Sequence, residues 1–127
     1  MTYFVGIDIA KYKHDCFIHD HNGVVIHHAF TFSNNLSGFN QLLLTLDSLD
    51  KNQKIKIGFE ATGHYGTNLK QFLKANHFDF MEINPLLIKQ FSKASTLRKT
   101  KTDKIDSTLI ARYLSTIDYK PTSNQSY

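Results

Sequence analysis

The chain has 127 residues, a formal net charge of +4, a single cysteine and two prolines. That length suits one domain with a real hydrophobic core, and no apolar run is long enough to span a bilayer as a helix. The lone Cys16 excludes an internal disulfide. With an N-terminus, "MTYFVGIDIA", that lacks a basic leader and a cleavage site, the sequence reads as a cytoplasmic protein with no membrane partner.

Residues 3–9, "YFVGIDI", have the aromatic and β-branched composition of a strand, and 15–20, "DCFIHD", form a second. Between the second strand and a third at 24–32 lies "HNG", whose Asn-Gly pair predicts a tight hairpin. At 36–49 the period changes: Phe39, Leu42, Leu43, Leu46 and Leu49 recur at three and four, which predicts an amphipathic helix. "KIKIGFE" (54–60) alternates Ile55, Ile57 and Phe59 with Lys56, Gly58 and Glu60, as a strand does. After a break at Gly63, the spacing of Tyr65, Leu69, Phe72 and Leu73 predicts a second helix, and "FDFMEI" (78–83) a fifth strand. Asn84 and Pro85 are suited to the cap and first position of a third helix. A basic loop then leads to a last helix over about 102–117, and 118–127 reads as a polar, frayed tail or the start of a linker. The order βββαβαβα, closed by that last helix over 1–117, is the layout of an α/β domain of the ribonuclease H-like class with a mixed sheet.

Four carboxylates stand out. Asp8 and Glu60 each end a hydrophobic strand, and each follows a glycine (Gly6, Gly58) by two residues. An acid is out of place as packing there, and the missing side chains are expected to leave room for a metal or phosphate. The alternative for either acid alone is a strand end turning out to solvent. Asp103 and Asp106 fall within "KTKTDKIDSTLIARYL". On a helix from about 102, Asp106 projects into the apolar stripe of Ile105, Leu109, Ile110, Tyr113, Leu114 and Ile117, with Asp103 at its edge. Helix capping explains acids at a helix start, but not one that faces the core, where an unpaired charge is costly. Four clustered acids repel one another, and Mg²⁺ or Mn²⁺ suits an all-oxygen donor set. Paired ions of this kind serve phosphoryl transfer.

The remaining candidates carry less. Seven histidines show no ligand spacing. "EATGHYG" (60–66) offers backbone amides where a strand gives way to a helix, which any tight turn also does. Lys89, Lys93, Arg98, Lys99, Lys101 and Lys104 form a basic stretch that runs straight into the last two acids, so a polyanion held there would arrive at them. Lys11, just past the first strand, belongs with the same contacts.

"GIDIAK", "FEATGHYG", "NPLLIKQFSKA" and "KTDKIDSTLIARYL", in this order and spacing, resemble the N-terminal domain of the DEDD-type insertion-sequence transposases, the "one-ten" group that includes the Piv-type DNA invertases. The resemblance covers essentially the whole chain. It implies a RuvC-like fold, a divalent-metal tetrad at Asp8, Glu60, Asp103 and Asp106, and cleavage and transfer of DNA strands. It further implies a homo-oligomer, a structured guide (bridge) RNA, and a C-terminal domain with a nucleophilic serine. No such domain follows Ile117, so the chain is expected to be a fragment inactive alone. Ser107 stands where the resemblance leads one to expect a small residue such as Ala. Two rival readings are a sugar-kinase or actin-like ATPase lobe, which opens on a similar strand but needs a second glycine-rich loop, and a non-catalytic RNA-binding module whose acids only cap.

Overall fold

The computed structural model describes residues 1–61, 63–94 and 105–122. Strands β1 (Thr2–Ile9), β2 (Lys13–Asp20) and β3 (Val25–Ser33) come first. They are followed by α1 (Leu36–Asp47), β4 (Lys54–Glu60), α2 (Thr67–Ala75), β5 (Phe80–Ile83), α3 (Pro85–Ala94) and α4 (Ser107–Leu114). The strands make one sheet in the order β3-β2-β1-β4-β5. β1–β2 and β2–β3 are antiparallel, and β1–β4 and β4–β5 parallel. This mixed sheet with a hairpin start is the ribonuclease H-like layout expected from the order of elements.

Local chemistry explains the boundaries. Gly23 adopts φ +82°, which the hairpin requires, and Asp20 Oδ1 accepts from the Asn22 and Val24 N–H groups at 2.9 Å. Asn35 caps α1 by accepting from Gly38 N–H, and Asn84 does the same for α3 from Leu86 N–H. Tyr65 lies outside α2, in the turn before its Gly66 cap, and β5 begins at Phe80 rather than at 78.

The central strand is covered on both sides. Tyr3, Val5, Ile7 and Ile9 pack with Leu42 and Leu46 of α1 and Leu69 and Leu73 of α2. On the opposite face Phe4 packs with Ile83, Ile88 of α3, and Ile110, Tyr113 and Leu114 of α4. Asp8 and Glu60 lie on this second face, in step with Phe4, Gly6 and Gly58.

Two expectations are corrected here. The segment after Ile117 is not frayed through its first residues. Ile57 N–H donates to Tyr119 Oη (3.2 Å), the Tyr119 hydroxyl donates to Ile57 O (2.9 Å), and Glu82 N–H donates to Thr122 Oγ1 (3.0 Å). A polar composition hid one aromatic that bonds β4 at Ile57, level with the first residue of β5. The second correction concerns the glycines. The space beside them is filled by α4: a Cβ on Gly6 would overlap the Ser107 carbonyl oxygen and stand 2.5 Å from Ala111 N, and one on Gly58 would stand 2.6 Å from a Leu114 methyl. Both glycines let a helix lie directly on the sheet, rather than leaving room for a ligand.

Candidate catalytic carboxylate site

Asp8 and Glu60 are brought together by strand register. β1 and β4 run parallel with Gly6 beside Gly58 and Ile7 beside Phe59, so the next step along each strand puts Asp8 and Glu60 level on one face. Both are half-buried. This is the carboxyl end of adjacent parallel strands, where open α/β sheets bind ligands. Burial raises the Glu60 carboxyl above its ordinary value of 4.5, opposed by the positive charge of Lys89 on α3. A half-buried carboxylate held against that penalty gains from a bound cation.

α4 crosses the same face of the sheet. Ser107 and Ala111 lie against Gly6, two residues before Asp8, while Tyr119 beyond the helix reaches back to Ile57. The helix therefore starts on the Asp8 side of Gly6 and leaves towards the strand beginnings. Asp106 is its N-cap: its backbone is extended (φ −126°, ψ 178°) and Oδ1 accepts from Leu109 N–H at 2.9 Å. The side chain is exposed.

The expected inward-facing Asp106 is thus corrected. The helix does not run through this residue, so a position counted from about 102 falls out of phase, and capping accounts for its direction. The residue buried here is Ser107, 2 % exposed, whose carbonyl oxygen lies against Gly6. Asp103 lies outside the described residues, as do Arg98, Lys99, Lys101 and Lys104. Lys11, Lys89 and Lys93 are all exposed.

Reading the sequence missed Asp15. It lies directly across from Asp8 in the β1–β2 ladder and accepts from Thr31 Oγ1 at 2.6 Å. The hairpin register carried the signal, because once Asp20 pairs with Tyr3, Asp15 must pair with Asp8. The histidines are structural where buried: His14 Nδ1 accepts from Ala10 N–H (3.2 Å) between Phe32 and Phe39, and His19 packs on Phe4. Burial lowers the His14 pKa.

The donor chemistry of Asp8, Glu60 and Asp106 suits a hard divalent cation. Among the described residues, however, no three His, Cys, Asp or Glu side chains are gathered closely enough to hold one. Asp8 and Glu60 lie level at the ends of β1 and β4, and Asp106 stands at the start of α4.

A sequence profile of the DEDD transposase family matches residues 5–127. The pilin gene-inverting proteins of Moraxella lacunata and Moraxella bovis are each 39 % identical to the chain over 112 residues, 87 % of this chain and 33 % of theirs. The chain therefore spans about a third of the length of these curated relatives. Motifs, mixed sheet and profile agree, and the chain belongs to the DEDD transposase family, in the "one-ten" insertion-sequence group with the Piv-type invertases.

Proposed function

We propose that this chain is the metal-binding catalytic domain of a DNA recombinase, with Asp8, Glu60, Asp103 and Asp106 holding Mg²⁺ or Mn²⁺ and a DNA phosphodiester as substrate. The observation that carries the reading is the level placement of Asp8 and Glu60 at the ends of neighbouring parallel strands, beside the start of α4. Asp8 and Glu60 are fixed by the sheet. Asp106 is fixed by its cap bond. Divalent cations supply charge neutralisation and an activated oxygen in phosphoryl transfer. The task of this chain's own residues is to bind and orient. Lys11, Lys89, Lys93 and the basic run 98–104 hold the backbone phosphates, and the acids keep the scissile group at the end of β1. Full-length action on DNA as a homo-oligomer directed by a structured RNA, with a C-terminal domain contributing to strand transfer, is the wider context we infer from the family resemblance.

Calorimetric titration of Mn²⁺ into this chain tests the reading. Asp8→Asn and Glu60→Gln should each weaken binding by at least about 10-fold, and Asp8→Asn should abolish recombination by the full-length protein. Unchanged Mn²⁺ affinity in both variants would overturn the assignment, and saturable ATP binding in its place would favour the ATPase-lobe reading.

A further inference from the structure

The turn between β1 and β2 carries one aromatic ring into solvent on a hydrogen-bonded backbone. Tyr12 is 75 % exposed, although a large aromatic ordinarily finds cover. The backbone beneath it is braced at three points. Ala10 N–H donates to His14 Nδ1 (3.2 Å), Asn34 Nδ2 donates to the Lys11 carbonyl (2.9 Å), and Asn34 N–H donates to the Tyr12 carbonyl (2.9 Å). The brace is itself anchored, because His14 is buried between Phe32 and Phe39 and Asn34 links the end of β3 to the cap of α1. Exposed lysines, Lys11 and Lys13, flank Tyr12 in sequence, and Lys11 Nζ lies 5.1 Å from its ring centroid. The turn follows directly on Asp8, four residues before Tyr12, so the two Cα atoms are at most about 14 Å apart.

A scattered exposed tyrosine needs no explanation. One carried on a braced backbone, with Lys11 at its ring, Lys13 next in sequence and the proposed phosphodiester site four residues away, has the composition of a single-strand platform, in which a ring takes the base and basic side chains take the backbone. We propose that Tyr12 is a base-stacking residue: its ring receives the face of an unpaired nucleobase next to the phosphodiester at the acids, with Lys11 and Lys13 on the neighbouring phosphates. The inference rests on the nucleic-acid reading above and adds to it a positioning element that selects unpaired strand. Because the turn is preformed, little ordering is left to oppose stacking.

Short oligonucleotides with one 2-aminopurine, as single-stranded DNA, single-stranded RNA and fully paired duplex, are titrated with this chain in EDTA. Quenching of 2-aminopurine in one or both single strands, but not in the duplex, is expected, and the stronger response identifies DNA or RNA as the source of the base. Tyr12→Ala should remove the quench and weaken strand binding by roughly 5- to 150-fold, with an unchanged melting temperature. Tyr12→Phe should keep both quench and affinity. Lys11→Ala should lower the salt dependence by about one charge and leave the quench. Strand binding and quench equal to wild type in Tyr12→Ala would overturn the inference and leave the domain reading intact. Failure of the unaltered chain to bind any strand at low salt would count against both, and a Tyr12 that matters only for self-association would reassign the ring to a protein contact.

Discussion

At the scale of the residue, the cap that Asp106 forms can be separated from the ligand role proposed for it. Its Oδ1 caps α4, and its charge belongs to the proposed cation set. Asn caps as well as Asp, whereas Ala does not cap. Asp106→Asn is therefore expected to keep the melting temperature and lose Mn²⁺ affinity. Asp106→Ala should lose both, with a stability cost of about 1 kcal/mol, measured by denaturant unfolding. Full Mn²⁺ affinity in Asp106→Asn would make the residue a cap alone. Glu60 carries the complementary signature, because its carboxyl is raised by burial. Between its ordinary value of 4.5 and the raised one, the folded chain holds more protons than the unfolded, so stability falls as pH rises through that window. Glu60→Gln should consequently melt higher than wild type at pH 7, and the advantage should vanish below about pH 4.5. A lower melting temperature for Glu60→Gln at pH 7 would show that Lys89 compensates the burial.

At the scale of the element, the geometry of the site depends on how closely α4 lies on the sheet. Gly6 meets helix backbone, which cannot move without carrying Asp106 with it, whereas Gly58 meets only the end of the Leu114 side chain. Gly6→Ala is therefore expected to cost upwards of about 1–3 kcal/mol and to reduce Mn²⁺ affinity, and Gly58→Ala to cost less and leave binding nearly intact. Parallel chemical-denaturation and Mn²⁺ titrations decide it. Equal effects at the two positions would contradict the packing account.

For the whole molecule, the order of elements and the hairpin were legible in the sequence because alternation, helical period and Asn-Gly turns are local signals. Asp8 and Glu60 were legible for the same reason, each being an acid at the end of an apolar strand. What was not legible depended on three-dimensional contact. The helix phase of Asp106 failed because its cap geometry, not its periodicity, sets its direction. The glycine pair reads as ligand space in the sequence because only the fold shows that α4 occupies it. Tyr119 was lost in a polar tail because its partner, Ile57, lies sixty-two residues away. Asp15 required the register of a hairpin already in hand. Local patterns thus located the strand ends that carry Asp8 and Glu60, and packing decided what lies beside them.

The central claim is that acids from β1, β4 and the segment leading into α4 share one cation. Crystals of this chain soaked in Mn²⁺ test it most directly through the anomalous signal of the metal. The account predicts a peak within about 2.2 Å of carboxylate oxygens from Asp8 and Glu60 together with Asp103 or Asp106. A peak bound elsewhere, or none at an ordered Asp8 and Glu60, would contradict it.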